Sequence, residues 1–180
     1  MFDLDDFIAD CQSALAERQP RLAIKEVLER AVSDHDGVAA ALPPDRSGIV
    51  PIHVSPDLTI LKVIWAPGMS FGPHDHRMWA AIGIYGGGED NEFFRRDGES
   101  LTASGARDLR AGDVCLLGDD VIHAVTNPTA QFTGAIHVYG GDLLGTPRSE
   151  WRGEPLAEGP YDVARTLAYF EDANEAVRPS

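Results

Sequence analysis

Between Pro44 and Tyr161 no stretch keeps a helical period, and Gly, Pro, Asn or Asp interrupts the chain again and again. Such a segment cannot build long helices. It can build short strands joined by tight turns, because Gly and Asn accept positive φ and Pro presets a bend. The β-branched and aromatic runs between interruptions predict strands over 49–54, 58–65, 78–85, 92–96, 100–103, 114–117, 122–126 and 132–139. Their separators are Ser55-Pro56-Asp57, Gly86-Gly87-Gly88, Asp97-Gly98, Ala111-Gly112-Asp113 and Asn127-Pro128. Many short strands at close spacing predict a mainly β architecture, a barrel or a sandwich.

Helical periodicity is confined to the two ends. Leu4, Phe7, Ile8, Cys11 and Leu15 recur at helical spacing over 3–17, behind an Asp-rich first turn that suits the helix dipole. Pro20 opens a second helix whose broad apolar face is Leu22, Ile24, Val27, Leu28, Ala31 and Val32, ending at Asp36-Gly37. From Tyr161 a short last helix carries Val163, Leu167 and Phe170 on one side, and it is expected to pack against the outside of the β-structure. The chain therefore reads as one domain over 1–180, with a helical segment at 1–42, a β-barrel at 49–145 and a C-terminal extension at 146–180.

Charge excludes some partners. Fifteen Lys and Arg against 29 Asp and Glu give a formal net charge of −14, which repels phosphate backbones and anionic lipid at long range. No nucleic acid and no membrane are expected as partners. The first residues are acidic where a secretory leader is basic, and no apolar run approaches the roughly 20 residues that span a bilayer. A cytoplasmic location is the expectation. Cys11 and Cys115 form neither a disulfide framework nor a Cys-x-x-Cys site, and both are expected to be buried thiols.

The chemistry concentrates in His74-Asp75-His76, set in a Gly68-x5-His74-x-His76 frame and answered by Gly112-Asp113 and His123-x3-Asn127. Alternation along an extended strand points His74 and His76 the same way, where His123 can join them from a distant strand. Three imidazoles on one metal leave positions open for a substrate and dioxygen, an arrangement suited to a metal-dependent oxidoreductase. Imidazole binds zinc, iron, copper and nickel alike, so ligand type does not name the metal. His35 and His53 are read as ordinary residues. Glu89-Asp90-Asn91-Glu92 fits no EF-hand spacing and is read as a solvated acidic loop without a metal. Arg95 and Arg96 alternate faces, so at most one points inward.

Four segments carry a resemblance: Trp65-Ala66-Pro67-Gly68, Pro73-His74-Asp75-His76-Arg77-Met78-Trp79, Ile122-His123-Ala124-Val125-Thr126-Asn127 and Ile136-His137-Val138-Tyr139-Gly140. Over residues 50–145 the chain resembles the cupin superfamily, and within it the cysteine dioxygenase-like thiol dioxygenases. The resemblance implies a cupin double-stranded β-helix (jelly-roll) barrel with N-terminal α-helices. It implies Fe(II) held by His74, His76 and His123, and a small thiol oxidised by dioxygen to its sulfinate. It also implies catalytic roles for His137 and Tyr139, the tyrosine hydroxyl bonding to the developing oxygen species and the histidine orienting it.

The chain departs from the family at several positions. Ala80 and Ala81 stand where general cupins carry a glutamate ligand, which leaves a neutral three-histidine set. Ala81 also excludes the cysteine–tyrosine link of animal-type enzymes. Ala135 replaces the serine of the Ser-His-Tyr relay, so the far nitrogen of His137 needs another partner. Ile49-Val50-Pro51-Ile52-His53-Val54 lacks the arginine that clamps the carboxylate of cysteine, which argues against cysteine as substrate. His53, Arg77 and Arg46 are alternative contacts, though a surface or loop role is the expectation for each. The alternative functions are a cupin enzyme using Ni, Mn or Zn on a non-thiol substrate, and a non-catalytic metal- or small-molecule-binding cupin.

Overall fold

The computed structural model describes residues 1–98 and 100–177, so the last three residues of the expected C-terminal extension lie outside them. Three helices come first: α1 (Leu4–Ala14), α2 (Pro20–Ser33) and α3 (His35–Ala41). Asp3 caps α1, its carboxylate accepting from the Asp6 amide at 3.0 Å. The end expected at Asp36-Gly37 is corrected. Asp34 closes α2 and starts α3, its carboxylate accepting from the Gly37 amide at 3.1 Å, so Asp36 and Gly37 belong to the first turn of a third helix.

Eleven strands follow among the described residues: β1 (Gly48–Val54), β2 (Thr59–Trp65), β3 (Ser70–Asp75), β4 (Ala80–Gly86), β5 (Gly88–Asp97), β6 (Ser100–Arg110), β7 (Val114–Leu117), β8 (Ile122–Thr126), β9 (Thr133–Tyr139), β10 (Ser149–Arg152) and β11 (Ala157–Pro160). They form two antiparallel sheets, in the orders β1-β2-β9-β4-β7 and β11-β10-β3-β8-β5-β6. A final helix, α4 (Val163–Val177), ends the described chain. No helix among the described residues is long and apolar enough to cross a membrane.

Strands β3, β10 and β11 carry little β-forming sequence and escape a propensity reading; pairing holds them, with β10 bonded to both β11 and β3. β5 and β6 run well past their expected bounds because each is the other's ladder, from Gly88 opposite Arg110 to Asp97 opposite Ser100. Segment 103–108 has weak β propensity, so the hairpin keeps it extended.

The middle strands of the five-stranded sheet, β2, β9 and β4, are buried on both faces. Ile60, Ile64, Ala81, Ile136 and Val138 face the helices and meet Phe7, Cys11, Ile24, Leu28 and Val32. Leu61, Val63, Ala80, Ile82, Ala135 and Tyr139 face the second sheet, with Leu109 and Val125 across the gap. β9 is buried at every residue. Both cysteines are free and buried, and burial pushes the Cys11 thiol up to about 12 and the Cys115 thiol in the same direction.

Helix α2 lies on the sheet at Gly83, where a Cβ would sit 2.7 Å from Leu28 Cγ and 2.9 Å from Val32 Cγ1. Gly83→Ala is therefore expected to destabilise the protein by about 1–3 kcal/mol, the usual effect of overpacking. Thermal melts of Gly83→Ala, Leu28→Ala and the double variant check this. The double variant should lose less than the sum of the two single losses, because truncating Leu28 removes the nearest clash.

Candidate metal centre

Register brings the histidines together. His74 on β3 pairs directly with His123 on β8, and their rings lie 4.6 Å apart, centroid to centroid. His76 follows just beyond the end of β3, and its Nε2 lies 3.4 Å from His123 Nε2. One nitrogen from each of the three lies within 4.8 Å of the others, and all three residues are buried. Between His74 and His76, Asp75 turns the opposite way, accepting from the Ser149 amide at 2.7 Å and from Arg77 Nε at 2.6 Å. Arg77 takes φ of 60°, a left-handed conformation that turns the chain directly after His76.

Two of the rings have their protons placed by the fold. His74 Nδ1 donates to Gly72 O at 3.1 Å, and His123 Nδ1 donates to Asn91 Oδ1 at 2.7 Å. Each ring thereby keeps a bare Nε2. His76 Nδ1 is buried with no hydrogen-bond partner in the structure. Burial pushes His74 down to about 4, and burial followed by the neighbouring imidazoles holds His76 and His123 well below the ordinary histidine range. Three neutral rings with converging lone pairs at a buried site fit a divalent metal, and a cation is what would relieve their crowding. No carboxylate belongs to the group.

The centre opens on a cavity of about 250 Å³ with mostly apolar walls, among them Leu61, Val63, Phe71, Leu143, Leu167 and Phe170. Tyr139 lines it and lies across from His76, ring centroids 5.0 Å apart. Its hydroxyl is 3.0 Å from His137 Nδ1, and burial pushes its phenol well up, which keeps it protonated. The fold thus joins His137 and Tyr139 to the three histidines.

Other expectations are corrected. Helix α4 packs against the outside as expected, but by a different face: Thr166, Phe170 and Asn174 are buried, Phe170 packs on Trp65 at 5.1 Å, and Val163 and Leu167 stay about half exposed at the rim of the cavity. Glu89-Asp90-Asn91-Glu92 is not a solvated loop. It is the start of β5, where Glu89 and Asn91 are buried while Asp90 turns out to pair with Arg110 at 2.7 Å. Alternation counted from Gly88 places Glu89, Asn91 and Phe93 on one face, and that is the signal by which they could have been found.

Neither Arg95 nor Arg96 points in; Arg96 lies over Trp151 and pairs with Glu158. Arg46 pairs with Glu171, and Arg77 bonds Asp75 and Ser149. His53 does not line the cavity; it is on β1, its Nε2 buried without a hydrogen-bond partner. The arginine that reaches the cavity is Arg148, which no sequence motif marks. It lies 3.9 Å over the Tyr161 ring and donates to Leu143 O at 2.7 Å. Asn127, part of the second histidine motif, pins a loop: its amide donates to Trp65 O, Ala66 O and Gln131 O.

No family model matches the sequence. Several solved structures share its architecture. BH2720 from Bacillus halodurans aligns over 58% of this chain and 77% of its own at 11% identity, TM-score 0.50. A double-stranded β-helix protein from Klebsiella pneumoniae aligns over 54% and 75% at 13% identity, TM-score 0.45. The chain's own sheet orders make a double-stranded β-helix (jelly-roll) fold. Identities of this order speak to architecture alone. Oxalate decarboxylase from Bacillus subtilis also aligns, over 49% of this chain at 15% identity, TM-score 0.41. The match spans 22% of that chain and 52% of peruvianin-I, a cysteine peptidase from Thevetia peruviana latex. What stands is a double-stranded β-helix fold with a buried three-histidine group able to hold a metal.

The lowered histidines make the metal-free protein sensitive to acid. The unfolded chain takes up these protons near pH 6.5 and the folded chain does not, so stability falls as pH drops below about 6.5, continuing to about 4 for His74. Melting temperature measured in chelator from pH 7.5 to 5 should fall more steeply for the native protein than for His74→Ala/His123→Ala. Equal slopes would contradict the assignment.

Proposed function

We propose that the protein is a non-haem Fe(II) dioxygenase that converts a small thiol to its sulfinate. The observation that carries the reading is a carboxylate-free three-imidazole set beside a histidine-held tyrosine hydroxyl in one apolar cavity. Ferrous iron held by His74, His76 and His123 would supply a Lewis acid for the thiolate and the redox capacity for its reaction with dioxygen. In the overall reaction the O–O bond breaks, two S–O bonds form, and sulfur loses four electrons. A neutral ligand set favours an anionic substrate, and a thiolate is one.

The chain's own groups then position and shield. The mostly apolar walls lower the local dielectric, which strengthens each polar contact inside. Tyr139, oriented by His137, hydrogen-bonds the oxygen atoms as charge develops on them. Arg148, stacked on Tyr161, lines the same cavity as a permanent positive charge, and among the described lining residues there is no Asp or Glu to receive an ammonium. This pattern suits a thiol that carries a carboxylate and no amine.

Oxygen uptake by anaerobically Fe(II)-loaded protein tests the reading with four small thiols: with and without a carboxylate, each with and without an amine. The expected result is uptake with the amine-free carboxylate thiol, a product heavier by two oxygen atoms, and loss of both in His74→Ala. Stoichiometric iron without uptake from any thiol would overturn it in favour of another metal chemistry or a binding role. With the preferred thiol, Arg148→Ala should raise KM by roughly tenfold or more with little change in kcat, and Tyr139→Phe should lower kcat by about a hundredfold.

A further inference from the structure

Glu89 is fully buried, has no place in the histidine group, and is not used by the chemistry above. Its two oxygens are nevertheless both engaged. Asn91 Nδ2 donates to Oε1 at 3.0 Å, Trp65 Nε1 donates to Oε2 at 2.8 Å, and His137 Nε2 lies 3.7 Å from Oε2, an ion-pair separation. Burial raises its carboxyl, but His137, Asn91 and Trp65 outweigh burial and hold the group below the ordinary carboxylate range, as an anion.

A carboxylate can only accept hydrogen bonds, and that one-sidedness propagates. Asn91 must turn its NH₂ toward Glu89, which leaves its Oδ1 facing His123. Oδ1 can only accept, so His123 carries its proton on Nδ1 and presents a bare Nε2 toward His76. On the other side of Glu89, His137 Nε2 is buried 3.7 Å from Oε2 without a hydrogen bond, and His137 Nδ1 lies 3.0 Å from the Tyr139 hydroxyl.

We infer that Glu89 is a positioning residue for the metal centre: one buried carboxylate sets the proton position of His123 through Asn91. It also sets one negative charge a single amide away from a ligand, against the positive charge of a bound metal. The inference rests on the three histidines holding a metal and is independent of which reaction follows.

Glu89→Gln tests it with the volume kept and the charge removed. Glutamine can present an NH₂ to Asn91, which reverses the Asn91 amide and moves the His123 proton onto Nε2, the nitrogen meant for metal. The tautomer of His123 is read from imidazole ¹⁵N shifts in the metal-free protein, and Co(II) affinity from competition with a chromophoric chelator, the cobalt d–d bands reporting geometry. Wild type should show Nδ1–H on His123. Glu89→Gln should show Nε2–H, cobalt binding weaker by about tenfold or more, and altered d–d bands, with Glu89→Asp restoring part of the affinity.

A lower melting temperature in Glu89→Gln with unchanged tautomer and unchanged cobalt affinity would make Glu89 a structural ion and overturn the inference. A wild-type protein that takes up no cobalt, yet differs from Glu89→Gln in the His123 tautomer, would remove the metal reading and uphold the bracing.

Discussion

The antiparallel register of β3 against β8 is the constraint on which the site depends. It sets His74 opposite His123 and leaves His76 one step beyond the paired strand, so ligands about fifty residues apart in the chain converge. Side chains alternate with a period of two, so a one-residue slip of either strand would send its histidine to the outer face. Two features hold the register. Asp75, facing away from the cavity, ties β3 to β10 through the Ser149 amide, and the neighbouring strand β5 pairs with β8 from the other side.

The second requirement is polarity inside an apolar barrel. Imidazoles, a phenol and a carboxylate are buried between the sheets, and each would be costly without a partner. The structure resolves most of this by chaining them. Trp65 and Asn91 donate to Glu89, His123 donates to Asn91, and His137 stands between Glu89 and Tyr139. What the chain does not satisfy is informative: two of the buried atoms without a partner, on His76 and His137, belong to the centre itself. Polar groups left unsatisfied at one point in a well-packed core mark a place shaped for a ligand.

Much of the architecture was legible in the chain. The central strands β2, β4, β7, β8 and β9 are β-branched or aromatic runs bounded by turn residues, and they lie within a residue or two of where periodicity sets them. The helices α1 and α2 announce themselves by spacing and by Asp3 and Pro20. Strands β10 and β11 were not legible, because Ser149–Arg152 and Ala157–Pro160 have no intrinsic preference that distinguishes them from loop; a neighbour's free edge makes them strands. The inward face of β5 was missed for a related reason: Glu89 and Asn91 are residue types that usually face water, and only the partners waiting inside make their burial tolerable.

By itself the sequence determined local matters: where the backbone must turn, which runs are extended, and which histidines share a strand face, because these follow from φ preferences and side-chain alternation over a few residues. Tertiary structure alone decided which distant groups meet. It brought Arg148 rather than Arg46 or Arg77 to the cavity, set α4 against its wall, and placed Glu89 behind Asn91 and His137. Those outcomes depend on strand register and on the pairing of charges across the barrel, and such long-range energies leave no periodic trace in the order of residues.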